Sequence, residues 1–239
     1  VTPSLSKCFY SLRQAQTDIS ALINFIVFIL MQYLSQDIWF PDVTEATSEG
    51  LLTMGGDLSV KRLILAYKSG IFPWYSEGEP ILWWSPNPRF VLFPEKLKVS
   101  KSMKQILRRC EYKVTVNQAF DNVISECSKI KRGKQEGTWI TESMMEAYKK
   151  LHKSGFAKSV EVWKDGVLIA GLYGVDLNNG VFCGESMFAK ESNASKAGFI
   201  TFIQNTNYKL IDCQVYTRHL ESLGAEDISR ESFLEYLSE

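Results

Sequence analysis

The chain has no excess of either charge. Among its 239 residues, 27 Lys and Arg balance 27 Asp and Glu, so any nucleic-acid partner must be held by a local patch rather than by overall attraction. Cysteine is scarce and unpatterned. Cys8, Cys110, Cys127, Cys183 and Cys213 make an odd set of five without a C-x-x-C pair, which argues against a disulfide framework or a zinc ribbon. His152 and His219 are the only histidines, so a metal site is not expected; no other cofactor is expected either, and the unpaired cysteines make the reduced cytoplasm the expected compartment. No uninterrupted membrane span stands out either. The run "ISALINFIVFILMQYL", residues 19–34, is shorter than the ~20 apolar residues a crossing requires. It is followed by "SQDIWFPD" rather than by a small-residue cleavage site.

What remains is a hydrophobic fraction of 45% and a charged fraction of 23%, ordinary for a soluble globular enzyme of one large or two modest domains. The least ordinary stretch is "GIFPWYSEGEPILWWSPNPRF", residues 70–90, with three Trp, four Pro, two Phe and a Tyr. Large aromatics usually anchor a core. The prolines, however, disfavour both a helix and a central strand, and predict a rigid loop of the kind that lines sites for flat ligands.

The two halves of the chain follow different periods. Up to about Gly155 the pattern predicts helices separated by loops. Ser59 caps "SVKRLILAYKSG", in which Leu63, Ile64 and Tyr67 share a face; "SKSMKQILRR", "NQAFDNVISECS" and "TESMMEAYKKLHKSG" follow. The last carries a stripe of Met144, Tyr148 and Leu151, and Gly155 stops it. From Ala157 the period becomes two. "AKSVEVW", "VLIAGLYGV" and "VFCGESMF", joined through "KDG" and "LNNG", predict three antiparallel strands. The helix "NASKAGFITFIQNT", the strand "YKLIDCQ" and two short helices complete the chain. This order is α+β and matches that of the acetyltransferase-like fold. No R/Q-x-x-G-x-G/A loop is present to hold a coenzyme A pyrophosphate, so the donor is expected to be different.

Taken together, "LLTMGGDLS", "AYKSGIFPWYSEGEPILWWSPNPR", "TWITESMMEAYKKLH", "SVEVW", "GLYGV", "FCGESMF", "NASK", "LIDCQ" and "HLESLGA" closely resemble the leucyl/phenylalanyl-tRNA–protein transferases, from about Met31 nearly to the end. The resemblance implies a helical and loop-rich N-terminal domain over residues 31–96 and an acetyltransferase-like mixed-sheet domain over 97–239. It also implies transfer of Leu or Phe, with some Met, from aminoacyl-tRNA to an N-terminal Arg or Lys of a protein, marking that protein for degradation. The enzyme is expected to be a cytoplasmic monomer. Relatives usually begin near the position of Met31, so translation is expected to start there, with residues 1–30 an extension; the alternative is a membrane-associating segment.

By the same resemblance, Trp74 and Trp139 line the site of the 3′ adenosine, with Tyr67 and Tyr148 nearby. This suits an unstacked base, for which an aromatic face is worth ~1 to 3 kcal/mol. The "WWSPNPR" half has an equally good structural reading. Leu172, Phe182, Phe202 and Ile211 are expected to form the apolar box for Leu or Phe. Alternation along "LIDCQ" sends Asp212 and Gln214 to one face. These are the expected catalytic pair, Asp212 polarising the Gln214 amide that holds the incoming amine. The resemblance puts Ile211 at the pocket as well, so regular alternation is not expected to describe the whole strand. Glu185 is expected at the same site, against an amino group or a cationic acceptor. In the neutral chain, "EKLKVSKSMKQILRRCEYK" concentrates positive charge. Lys101, Lys104 and Arg108 fall close to one helical face, and with Arg109 they are expected to track the acceptor stem.

Two departures limit what the resemblance implies. Gln105 stands where relatives can carry a basic residue, and Lys158 replaces a His common in "AHSVEVW". Two other classes remain open on sequence: an aminoacyl transferase acting on a cell-wall amine, and a non-catalytic RNA-binding module. Neutralising Lys101 together with Arg108 is expected to weaken intact tRNA alone, leaving short 3′-end analogues unaffected. The log–log salt slope should flatten by about one unit per lost phosphate contact, as read from filter binding between 50 and 200 mM salt.

Overall fold

Hydroxyl side chains start three of the helices of the first half. Ser59 Oγ accepts from Arg62 N (3.4 Å), Ser100 Oγ from Met103 N (3.2 Å) and Thr141 Oγ1 from Met144 N (3.2 Å). These caps open α1 (Val60–Lys68), α2 (Lys101–Arg108) and α4 (Glu142–Lys153). Between the last two lies α3 (Phe120–Ser128). Helix α4 buries Met144, Tyr148 and Leu151 as its stripe predicts, and Gly155 follows it with φ of 83°. The computed structural model describes residues 32–130 and 140–238. Residues 1–30, Met31 and Trp139 lie outside these, and with them the readings placed on the N-terminal extension and on that tryptophan.

The first half nevertheless holds strands that its helical reading lacked. The short strand β1 (Tyr33–Leu34) begins it. In a small antiparallel sheet, β4 (Leu82–Trp84) pairs with both β2 (Leu51–Gly55) and β3 (Phe72–Pro73). The prolines of residues 70–90 did not prevent this, because strands of two and three residues leave them at ends and edges. Two further strands, β5 (Arg89–Leu92) and β6 (Lys113–Val116), belong to the larger sheet.

That sheet has seven strands in the order β11-β5-β10-β9-β8-β7-β6. The three antiparallel strands of the second half are β7 (Ala157–Lys164), β8 (Val167–Asp176) and β9 (Val181–Ala189). Asp165 and Gly166 turn the first hairpin with φ of 50° and 78°. Helix α5 (Ala194–Gln204) crosses over to β10 (Leu210–Gln214), which runs parallel to β9 with Asp212 opposite Cys183. Strand β5 then pairs antiparallel with β10, placing Val91 opposite Asp212. Residues 89–92, which precede the domain boundary expected at residue 96, thus sit inside the larger sheet. The end of the chain is not only helical. Between α6 (Arg218–Glu221) and α7 (Arg230–Ser238), strand β11 (Glu226–Ile228) adds to the edge of β5.

Both faces of this sheet are covered, and β8 accordingly reads as a nearly unbroken apolar run up to Asp176, whereas β9 and β10 carry the buried polar residues Glu185, Asp212 and Gln214. Successive residues alternate between two cores. Leu172 and Phe182 pack with Phe199, Phe202 and Ile211 on one side; Tyr173 and Cys183 pack with Phe120, Val123 and Tyr148 on the other. Leu34–Glu239 form one compact unit, and among the described residues no helix is long and apolar enough to cross a membrane.

The β8–β9 pairing slips between Tyr173 and Gly174. A Cβ on Gly174 would stand 2.3 Å from the Cys183 carbonyl oxygen and 2.5 Å from the Phe182 ring. Both neighbours are held in the sheet and the core. Gly174→Ala is therefore expected to destabilise the fold by about 1 to 3 kcal/mol or more, read from urea unfolding.

Candidate functional site

The parallel strand β10 ends in an irregularity that sets the geometry of the site. Its pairing with β5 shifts between Asp212 and Gln214, and Gln214 adopts φ of 63°, in the left-handed region. A side-chain-bearing residue rarely sits there unless something holds it. Two hydrogen bonds frame this turn: Asp212 Oδ1 accepts from Gln214 N at 2.9 Å, and Val215 N donates to Cys213 O at 2.8 Å. Regular alternation therefore fails beyond Asp212. The aspartate reaches Gln214 through its backbone N–H, while the Gln214 amide donates to Glu185 Oε1 at 2.7 Å. The expected contact from Asp212 to that amide is replaced by these two, because the bulge turns the side chain away from the aspartate and toward β9.

Asp212 is fully buried, as is its counterion Arg89 from β5. Arg89 Nε donates to Oδ1 at 2.8 Å and Nη2 to Oδ2 at 2.6 Å, a bidentate fork. The third arm of the guanidinium, Nη1, points to Gly70 O at 3.3 Å, and its carbon lies 4.8 Å from the Phe72 ring centre and 4.6 Å from that of Phe233. Burial acts to lower the arginine pKa, but the attraction and hydrogen bonding of Asp212 outweigh it and hold it above its usual value. Residue type and position in "PNPRF" were visible in the sequence, but the partner, 123 residues away, was not.

Glu185 occupies the centre of a second buried group. Oε1 accepts from Tyr67 OH at 2.7 Å and from Gln214 Nε2; Oε2 accepts from Tyr148 OH at 3.0 Å, and the two phenol oxygens are themselves in contact. Burial raises the carboxyl to about 7 despite the three donors that favour its ionised form. Burial, followed by the charge of Glu185, pushes both tyrosines well above their ordinary range. Tyr67 and Tyr148 are thus anchors of the glutamate in this structure, with no exposed ring face to offer a base.

These groups lie beside a cavity of about 470 Å³ whose lining includes Trp74, Leu172, Glu185, Ile211 and Gln214. Trp74 is 40% exposed, and its backbone O accepts from Trp84 Nε1 at 2.7 Å. Trp83, in contrast, is fully buried and donates to Gly55 O, so the tryptophans of the aromatic segment divide between a surface face and the core. Phe182 and Phe202, expected in the box, stack edge to face inside the core and do not line the cavity. Phe72, Met187 and Phe199 line it instead. His219, for which no sequence signal suggests a role, also lines it. Its Nε2 is buried without a partner, and burial lowers its pKa. Lys101, Lys104, Arg108 and Arg109 are all exposed on or just after α2, away from these contacts, with Arg109 3.7 Å from Glu111. Among the described residues no cluster of His, Cys, Asp and Glu is arranged to hold a metal.

Residues 91–238 match the family model of the leucyl/phenylalanyl-tRNA protein transferases, and residues 56–87 match that of their N-terminal domain. The leucyl/phenylalanyl-tRNA–protein transferase of Flavobacterium johnsoniae is 60% identical over 210 residues, covering 87% of this chain and 99% of that protein. That of Flavobacterium psychrophilum is 53% identical with the same coverage. Among solved structures, a GCN5-related N-acetyltransferase from Kribbella flavida aligns over 68% of this chain and 58% of its own, at 11% identity and a TM-score of 0.36. A likeness that slight supports no argument.

The raised carboxyl of Glu185 has a measurable consequence. Its folded pKa, about 7, lies above the ordinary 4.5, so the unfolded chain gives up this proton first. Stability contributed by the neutral form is present below about pH 4.5 and is lost as pH rises toward 7, by about 3 kcal/mol in all. Glu185→Gln is expected to remove that fall. Urea unfolding of both proteins at pH 4.5 and 7.5 checks it, the difference between them changing by about that amount.

Proposed function

The chain belongs to the leucyl/phenylalanyl-tRNA–protein transferase family, and from that membership we propose that it moves Leu or Phe, with some Met, from aminoacyl-tRNA to the N-terminal Arg or Lys of acceptor proteins. It does so in the cytoplasm as a monomer, and the acceptor is thereby marked for degradation. The observation that carries this reading is the meeting of three features at one cavity: an exposed indole face at Trp74, an apolar wall that includes Leu172 and Ile211, and the polar pair Glu185 and Gln214. A volume of about 470 Å³ is in the range of sites for small ligands.

The chemistry asks little of the protein beyond orientation. The ester in aminoacyl-tRNA is already activated, so no covalent enzyme intermediate is needed. A neutral α-amine of the acceptor attacks the ester carbonyl and forms the C–N bond. The tetrahedral centre then collapses with loss of the ribose oxygen, and the proton leaving the nitrogen ends on that hydroxyl. Gln214 is positioned to hold the amine or the developing oxyanion, and Glu185, which titrates at about 7, to receive an amino group. The apolar wall rejects charged side chains by desolvation, yet it separates similar hydrophobes by only ~1 to 3 kcal/mol, which leaves room for Met. Trp74 offers the stacking face for the terminal adenosine.

Radiolabelled Leu-tRNA incubated with a protein bearing N-terminal Arg tests the reading. Label in the acceptor supports it; binding of the tRNA without transfer, or transfer only to a cell-wall amine, rejects it. Gln214→Ala and Asp212→Ala are each expected to cut transfer strongly while leaving aminoacyl-tRNA binding within a few-fold. Trp74→Ala is expected to weaken aminoacyl-tRNA and its short 3′-end analogues equally, by ~1 to 3 kcal/mol, as measured by competition binding.

A further inference from the structure

We infer that Arg89 is a positioning residue for transfer that acts through Asp212, and that Asp212 in turn acts through the Gln214 backbone rather than by touching substrate. The inference rests on the reading of the site as a transferase.

Most of the lone pairs of Asp212 are already in use. Oδ1 takes Arg89 Nε and Gln214 N, and Oδ2 takes Arg89 Nη2; the buried Cys183 stands opposite Asp212 across the sheet. A carboxylate has about four such acceptor positions, and this one is completely buried. It therefore has little left to offer an incoming amine. What it does fix is the conformation of Gln214. The left-handed φ of 63° costs on the order of 1 kcal/mol for a residue with a side chain, and the hydrogen bond from Gln214 N to Oδ1 holds it there. In that conformation the amide points to Glu185 at the cavity.

Arg89 sets the orientation of the carboxylate in turn. Its planar fork engages both oxygens, and the fork is clamped between Phe72 and Phe233 with Gly70 O at its far side. A lysine could balance the charge, but it is a point donor that cannot make the two-point contact. Charge and orientation can therefore be separated by one substitution.

Arg89→Lys, in the full chain, is the test. The expected result is a folded protein whose single-turnover transfer rate at saturating Leu-tRNA falls about 10- to 100-fold, as misplacement of a reacting group by roughly 1 Å does. KM for Leu-tRNA should stay within about threefold. The Gln214 amide should exchange with solvent at least about tenfold faster while the amides of β8 keep their protection, a local loosening that a general loss of stability does not give. A full rate with unaltered exchange, or a loss confined to KM, overturns the inference. Should Arg89→Lys fail to fold, Phe233→Leu decides by the same readings, with an expected loss of about 3- to 10-fold in rate alone; an unchanged rate overturns it. If the wild-type protein transfers nothing, the transferase reading falls, and exchange at Gln214 alone decides whether Arg89 positions it.

Discussion

Burying a carboxylate and a guanidinium costs several kcal/mol per ion, and the Arg89–Asp212 pair recovers that cost because all three guanidinium nitrogens and both carboxylate oxygens find partners. The requirement organises the surrounding chain. The guanidinium needs an oxygen at its third arm, which the end of α1 supplies at Gly70, and apolar faces on both sides, which Phe72 and Phe233 supply. Gly70 must also be a glycine here. Its φ is 73°, and a Cβ there would come within 2.8 Å of Leu234 on the C-terminal helix. One ion pair thus draws the aromatic segment, the strand β5, the bulged end of β10 and the helix α7 to a single point. Loss of either partner leaves an uncompensated buried charge, so these elements are held by it jointly rather than one at a time.

Glu185 is buried under the opposite condition. Among the described residues no cation forms an ion pair with it; three neutral donors hold it instead, from α1, α4 and β10. Each tyrosine hydroxyl would itself be costly to bury without an acceptor, so the glutamate and the two phenols satisfy one another. Such a network is stable when complete and poor when partial. The contrast with Asp212 separates the two carboxylates by task. The one with a guanidinium is held in a bidentate fork and fixes the turn at Gln214. The one held by neutral donors stays near its titration point and borders the cavity.

Local signals were legible in the sequence where the physics is local. The helix cap at Ser59, the stripe of α4 and the hairpin at Asp165–Gly166 each depend on residues within a few positions, and each is where the pattern puts it. The strands of the first half were not legible. β2 to β5 have two to five residues, too few to display a period, and prolines next to them argued for loop. β11 was missed for the same reason. At the site, residue types were legible but distances were not. The alternation that put Asp212 and Gln214 on one face is broken by a left-handed residue that is not glycine, and no sequence rule announces that. Phe182 and Phe202 lie in the core behind the cavity rather than on its lining, a difference that the sequence does not display, because a buried aromatic behind a cavity and one facing it have the same composition.

The aromatic segment shows why neither of its simple readings sufficed. Two adjacent tryptophans in a strand point to opposite faces. Trp83 goes into the core and fastens to Gly55 O, and Trp84 turns outward to bond the backbone of Trp74. That bond, with Trp74 N donating to Leu82 O at 2.9 Å, fixes the backbone of Trp74 on both sides while 40% of the residue stays exposed. An indole with its backbone fixed in this way has already lost much of the freedom that stacking would remove, and preorganisation of this sort raises affinity without any added contact. The prolines serve the same end by restricting the chain around it. The structural role of the second half is therefore what makes the first half usable as a face. At its close the segment runs into Arg89, so the same 21 residues that present the cavity's indole also carry the guanidinium that orients Asp212.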